Sequence, residues 1–130
     1  MSLRIYLAED SPILCKLLRE LITGQGMVIA GEADTAARAI EGIAKARPDV
    51  AIIDLSLRVG DGFEVLRAIP NAQAPVRIVL TNHGNPGFRT AASEAGADYF
   101  FDKANQIHEM IRLLVALPAG RSRVNGAPNI

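Results

Sequence analysis

The sequence predicts an α/β fold in which helices cover both faces of a parallel sheet. Short apolar runs of strand character alternate five times with longer runs of helical periodicity, the order typical of βα repeats. The run 50–53, with sequence VAII, is continuously apolar, as expected of a central parallel strand that is buried on both faces. The chain has 130 residues, which is the size of one compact domain and too short for two.

Helix-start and helix-stop signals separate the first two repeats. Ser11 and Pro12 supply an N-cap and a proline at the first helical position, and they predict that the first helix begins there. Thr35 begins an alanine-rich segment whose apolar residues share one helical face, and this second helix ends before Pro48. The predicted strands are residues 3–8, 27–33, 49–55, 76–81 and 98–101.

The last three helices are bounded in the same way. Asp61 and Glu64 have the spacing of a capping box, and Pro70 ends the helix that they begin. Asn85 starts the fourth helix, and Pro118 stops the fifth. The predicted helices are residues 11–23, 35–47, 61–69, 85–96 and 104–117. We therefore expect a folded domain over residues 1–117 and a tail or linker over residues 118–130, which has no apolar period.

The composition excludes several classes of protein. Fourteen Lys and Arg residues balance fourteen Asp and Glu residues, so the chain lacks the basic excess that favours nucleic-acid binding. No apolar run approaches the ~18 residues of a membrane span. Cys15 is the single cysteine, so an intrachain disulfide and a thiolate metal site are both excluded. We expect a soluble, cytoplasmic protein that contacts neither nucleic acid nor membrane directly.

Charged and hydroxyl side chains follow four of the five predicted strands. Glu9 and Asp10 follow the first strand, Asp54 ends the third, Thr81 ends the fourth, and Lys103 follows the fifth. Ligands of open parallel sheets bind beyond the carboxyl ends of the strands, so we expect these side chains to converge at one edge. Clustered carboxylates repel phosphate directly but suit Mg²⁺, which can carry a phosphoryl group.

Each residue also has an interpretation that involves no chemistry. Glu9 and Asp10 could cap the first helix, because acidic side chains favour helix N-termini. Asp54 follows four apolar residues and could form a structural ion pair with Lys103, although it could equally act as a nucleophile that forms an acyl phosphate. Thr81 could be an ordinary strand residue, and Lys103 a solvated one.

Taken together, these residues resemble the receiver domain of two-component response regulators over about residues 3–117. The family has an acidic pair after strand one, a phosphorylated Asp after strand three, Ser or Thr after strand four and Lys after strand five. The turn at residues 60–62 and the segment 96–101 are similar to the family's turn and fifth strand. The resemblance implies a flavodoxin-like three-layer sandwich with a five-stranded sheet of order 2-1-3-4-5.

The resemblance also implies roles for individual residues. Asp54 would be the phosphoacceptor, and Mg²⁺ would be held by Asp10, Asp54 and the Ser56 backbone carbonyl, with Glu9 acting through water. Lys103 would pair with the phosphoryl group, and Thr81 would couple it to a switch residue. That switch residue would be Phe100. Two positions depart from the family: Ala104 replaces a common proline, so we expect a trans bond before it, and Arg58 replaces another proline in the loop after Asp54.

The implied function is a signalling switch that takes a phosphoryl group from a histidine kinase or a phosphotransfer protein. An aspartate-nucleophile hydrolase is less favoured, because such enzymes commonly place a second acid where Ser56 stands. A degenerate receiver that serves only as an interaction module ranks below the switch, because all five chemical positions of the family are filled. The chain would be a stand-alone receiver or part of a longer regulator.

The last helix carries two apolar stripes, the second of them formed by Met110, Leu113 and Leu117. We expect part of this surface to be exposed, so that helices four and five bind an output partner or a second copy of the chain. His83 is expected in a solvent-facing loop near the site, and His108 on the surface. Cys15 is expected to be a buried, inert thiol.

Overall fold

The computed structural model describes residues 2–70 and 74–117, which form a five-stranded parallel sheet of order β2-β1-β3-β4-β5. The predicted fold class and strand order are therefore confirmed. The tail predicted at 118–130 lies outside the described residues. The strands are β1 (Arg4–Ala8), β2 (Val28–Ala33), β3 (Val50–Ile53), β4 (Val76–Thr81) and β5 (Tyr99–Asp102). The helices are α1 (Pro12–Gly24), α2 (Ala36–Ala46), α3 (Gly62–Ala68), α4 (Pro86–Ala95) and α5 (Ile107–Ala116).

Side-chain caps fix where the helices begin. The Ser11 hydroxyl accepts the backbone N–H of Leu14 at 3.2 Å, so the predicted cap of α1 is present. Asp61 and Glu64 each accept the other's backbone N–H, which completes the capping box of α3. Each cap satisfies amide groups that the helix leaves without a partner. The starts of α1 and α3 follow β1 and β3, so these caps also fix the entry to the site.

The last helix begins later than predicted, at Ile107 rather than at residue 104. Asp102 organises the intervening segment as a turn, because its carboxylate accepts the Ala104 N–H at 2.7 Å and its carbonyl accepts the Gln106 N–H at 2.8 Å. Local bonds from an Asp side chain compete with helix formation in this way. The bond between Lys103 and Ala104 is trans, as expected.

Two hydrophobic clusters hold the helices against opposite faces of the sheet. Leu18 and Ile22 of α1 and Leu114 of α5 belong to the first cluster. Ile43 of α2 and Val65 of α3 belong to the second. Because both faces are covered, the sheet reaches solvent chiefly at its ends, and the carboxyl end is where the polar strand-end residues lie.

The expected apolar surplus on α5 is largely absent. Met110 is fully buried, and Leu113 and Leu117 are partly buried against the cluster beneath α1 and α5. The expectation that Met110 is exposed was wrong. Tyr99 and Phe101 of β5 belong to the same cluster as Met110, and their rings widen the apolar surface that covers α5. Val115 is the exposed large apolar residue of α5, at 56 %. None of the helices in residues 2–70 and 74–117 has the length and hydropathy of a membrane span.

Candidate functional site

Backbone pairing continues past the ends of the strands and brings their polar residues together. The Asp54 N–H donates to the carbonyl of Ala8 at 2.9 Å, and the Lys103 N–H donates to the carbonyl of Thr81 at 3.1 Å. The Glu9 N–H donates to the Ala33 carbonyl at 2.9 Å. These bonds set the main chain at the carboxyl edge, so the side chains there converge as the sequence predicts.

Lys103 bridges two buried carboxylates. Its Nζ lies 2.7 Å from Glu9 Oε1 and 2.6 Å from Asp54 Oδ2. The side chains of Glu9, Asp54 and Lys103 keep only 4 %, 5 % and 13 % of their exposure. Such short charge-assisted hydrogen bonds are among the stronger polar contacts in proteins. The interpretation of Lys103 as a solvated surface lysine is therefore wrong, and the ion pair with Asp54 is present.

Burial and charge act against each other at this contact. Burial raises the pKa of Glu9, and its bonds to Lys103 and to the Ser11 N–H only partly oppose that effect. Burial alone would lower the pKa of Lys103, but hydrogen bonds to Asp54 and Glu9 outweigh it and raise that pKa above its ordinary value. Lys103 is thus held as a cation at neutral pH by the two carboxylates.

The cluster still carries excess negative charge that a divalent cation would balance. Oxygen atoms of Glu9, Asp10 and Asp54 lie within 4.8 Å of one another, close enough to share one ion. Three carboxylates against one ammonium leave a net charge of −2 when all are ionised. A hard cation such as Mg²⁺ prefers this all-oxygen donor set and keeps waters where protein ligands are few. The residues present therefore fit Mg²⁺.

The site opens into a cavity of about 360 Å³ at the carboxyl edge. Asp10 and Ser56 are exposed beside it, whereas Glu9 and Asp54 lie at its buried side. The Ser56 N–H donates to Asp54 Oδ1 at 3.2 Å, so the loop after β3 holds the second oxygen of this carboxylate. A ligand that enters the cavity reaches Asp54 from the side where the acidic oxygens gather.

Thr81 and Phe100 lie behind this site rather than in the cavity. Thr81 is fully buried, and its hydroxyl accepts the His83 backbone N–H at 3.3 Å. Phe100 is also fully buried, and the Arg89 guanidinium carbon lies 4.6 Å from its ring centroid. The Thr81 hydroxyl thus contacts the loop after β4 here, so its predicted coupling role stays a prediction.

The remaining predictions about single residues agree with their surroundings. His83 is exposed in the loop and lines the cavity, and its ring lies 5.3 Å from that of Phe88. His108 is exposed. Cys15 is buried, and burial, assisted by nearby carboxylates, raises its thiol pKa to about 11.

Two features of the site were missed from the sequence. Asn82 lines the cavity, and its place directly after the last residue of β4 was a usable signal. Asp34 forms an ion pair with Arg58, 2.9 Å between Oδ2 and Nε, and joins the turn after β2 to the loop after β3. Opposite charges in two loops at the same sheet edge were the available signal for this pair.

A doubly wound α/β domain with three carboxylates and a buried lysine at its carboxyl edge defines a class of phosphoacceptor domain. The sequence profile of the response regulator receiver domain matches residues 5–115. This chain belongs to that family, whose members are phosphoacceptor domains of two-component signalling.

Individual relatives agree with this assignment. The chain is 36 % identical over 114 residues to the KDP operon transcriptional regulatory protein KdpE of Escherichia coli, a match that covers 87 % of this chain and 50 % of the relative. The chain thus spans about half the length of that relative.

Solved structures show the same fold. A two-component response regulator of the LuxR family from Aurantimonas sp. is 28 % identical, with a TM-score of 0.77, and the match covers 97 % of this chain and 91 % of that one. A DNA-binding response regulator of the LuxR family from Staphylococcus aureus is 26 % identical, with a TM-score of 0.76 and coverage of 85 % and 93 %.

Proposed function

We propose that Asp54 accepts a phosphoryl group from a phosphohistidine of a kinase or phosphotransfer protein, with Mg²⁺ bound by the acidic cluster. The observation that carries this proposal is the Asp54 carboxylate held between the Lys103 ammonium, the Ser56 N–H and the oxygens of Glu9 and Asp10. A buried carboxylate with a cation on one oxygen and open space in front of it has the arrangement that phosphoryl transfer requires.

The transfer balances as a simple displacement. A carboxylate oxygen of Asp54 forms a bond to phosphorus, the bond from phosphorus to the donor imidazole nitrogen breaks, and that imidazole leaves neutral after taking up a proton. Lys103, whose Nζ lies 2.6 Å from Asp54 Oδ2, would contact the phosphoryl oxygens and offset the charge that accumulates on them. Asp10, Asp54 and the Ser56 carbonyl would hold Mg²⁺, with Glu9 acting through water. The bound ion would neutralise the carboxylates that otherwise repel phosphate.

The test is intact-mass measurement after incubation with acetyl phosphate and Mg²⁺. We expect one phosphoryl adduct on the parent and none on Asp54→Asn, whose shape is nearly the same. Excess chelator should suppress the adduct on the parent. Peptide mapping that finds the stable adduct on Ser56, Thr81 or His83 would contradict the assignment, and so would equal phosphorylation with chelator present.

A hydrolase of small substrates is the second candidate, and the position of Ser56 argues against it. Enzymes of that kind commonly place a carboxylic acid two residues after the nucleophile, whereas Ser56 offers only a hydroxyl. Steady release of phosphate from acetyl phosphate at many turnovers per minute would favour the hydrolase instead.

We also propose that phosphorylation is relayed from Thr81 to Phe100 and changes the surface of α4 and α5, where a second copy or an output partner binds. Phe100 contacts Arg89 of α4, so a movement of this ring would reach the surface of that helix. We expect phosphorylated Thr81→Ala to show smaller amide shifts around Phe100 than the phosphorylated parent. Equal shifts in both proteins would refute the coupling.

The partner surface is tested separately by Val115→Glu, because Val115 is exposed whereas Met110 is not. We expect phosphorylation-dependent self-association or partner binding to weaken in this variant with unchanged stability. Unchanged sedimentation and partner titrations would locate the interface elsewhere.

A further inference from the structure

The turn between β2 and α2 contacts the loop that follows Asp54 at several points. The Arg58 N–H donates to the Asp34 carbonyl at 3.0 Å, and the Arg58 guanidinium donates to both Asp34 carboxylate oxygens, at 2.9 Å and 3.5 Å. The Ala36 N–H donates to the Val59 carbonyl at 2.9 Å. A forked contact of this kind fixes orientation as well as distance.

The same turn is joined to the acidic pair. The carbonyl of Ala33, which directly precedes Asp34, accepts the Glu9 N–H at 2.9 Å. Residues 33–36 therefore contact both sides of the acidic cluster: the end of β1, which carries Glu9 and Asp10, and the loop after β3.

The loop after β3 depends on polar contacts at its outer part. At its inner end, the Gly62 N–H donates to the Leu55 carbonyl at 3.0 Å. At its outer end, Val59 is 61 % exposed and the Arg58 side chain 54 % exposed, so these two residues bury little apolar surface. Ser56 lies between the two ends, pairs with Asp61 in an isolated β-bridge and precedes the buried Leu57. The contacts of Arg58 with Asp34 add a further restraint on this loop.

We propose that Asp34 and Arg58 are a positioning pair that fixes the loop carrying Ser56 and thereby sets the affinity of the acidic cluster for Mg²⁺. This inference rests on the proposed function, because it concerns how that site holds its cation. In this chain, the ion pair supplies the loop rigidity that a proline at position 58 would otherwise provide.

A positioning role and a simple charge effect predict opposite changes in Mg²⁺ affinity when Arg58 is replaced. If only charge mattered, removing the Arg58 cation would strengthen Mg²⁺ binding, and removing the Asp34 anion would weaken it. If the pair positions the loop, both changes weaken Mg²⁺ binding. The double variant then binds Mg²⁺ no more weakly than either single variant.

The experiment is calorimetric titration of Mg²⁺ into the parent, Arg58→Gln, Asp34→Ala and the double variant. We expect each of the three variants to have a Kd for Mg²⁺ about 3- to 5-fold higher than that of the parent. This is the range that one exposed ion pair can account for. Arg19→Gln is the matched control: it breaks another exposed ion pair, between α1 and Glu32 of β2, and removes one cation as Arg58→Gln does. We expect its Kd to stay within about twofold of the parent.

A Kd for Arg58→Gln that equals or falls below that of the parent overturns the proposal, and so does an equal weakening in Arg19→Gln. Amide hydrogen exchange without Mg²⁺ separates this outcome from failure of the proposed function. Exchange at Ser56 and Val59 should be faster in Arg58→Gln than in the parent. If the parent binds no Mg²⁺, the proposed function and the affinity role both fail, while faster exchange would still show that the pair holds the loop.

Discussion

Replacing Lys103 by methionine tests whether its ammonium is the counter-charge that stabilises the Glu9 and Asp54 carboxylates in the folded protein. Methionine preserves most of the side-chain length but leaves two nearly buried carboxylates facing each other without a cation. Breaking a buried ion pair from one side costs about 3–5 kcal/mol. The cavity admits water, so we expect the lower end, about 3 kcal/mol, and a Tm about 10–15 °C lower for a domain of this size.

The destabilisation should depend on Mg²⁺, because the ion can replace the missing positive charge. Urea unfolding in chelator and in Mg²⁺ measures this: we expect Mg²⁺ to stabilise Lys103→Met more than it stabilises the parent. Glu9→Gln in the Lys103→Met background should recover part of the loss by removing one of the opposed charges. Lys16→Met, at an exposed position of α1, is the control and should change stability by less than about 0.5 kcal/mol. A chelator-treated Lys103→Met protein as stable as this control would refute the reasoning.

Three further predictions concern the rest of the domain. Gly42→Ala should lower the stability measured by urea unfolding, because the new methyl meets the Tyr6 hydroxyl and overpacking costs about 1–3 kcal/mol. In the Tyr6→Val background, the same substitution should instead stabilise α2 by up to about 1 kcal/mol. Burial, aided by the charges of Glu32 and Glu41, raises the pKa of Tyr6. Above pH about 10 the folded state therefore keeps a proton that the unfolded state loses, so the free energy of unfolding should fall as pH rises. This fall should be smaller in Tyr6→Phe. Met110→Glu should unfold the domain, as followed by circular dichroism, whereas Val115→Glu should not, because only Met110 is buried.

Most of the fold follows from patterns that are local in the sequence. The βα alternation and the caps at Ser11 and Asp61 place the elements to within a few residues. The start of α5 was missed because side-chain hydrogen bonds hold residues 102–106 in a turn: the Asp102 carboxylate accepts the Ala104 N–H, and the Gln106 side chain accepts the Asp102 N–H. A helical apolar period does not reveal such bonds. The burial of Met110 was missed for a different reason, since the width of an apolar stripe does not tell how much of it neighbouring elements cover.

The convergence of the site was predictable because parallel strands end at one edge. Any polar residue directly after a strand lies there, and this placed Glu9, Asp54 and Lys103 together without knowledge of their side-chain contacts. The sequence left open whether Lys103 would contact one carboxylate or both. That depends on the direction of a flexible side chain, which packing in the folded protein decides.

Contacts between distant segments are the part that the sequence does not reveal. Gly31 and Gly42 lie on different elements, yet both leave room for the same ring: a Cβ at Gly31 would lie 2.6 Å from Tyr6 Cε2, and one at Gly42 would meet the Tyr6 hydroxyl. Considered one at a time, each glycine only disfavours the strand or helix that contains it. The two become interpretable once the ring of Tyr6 is placed between β2 and α2, so the packing of that ring, rather than local propensity, accounts for both glycines.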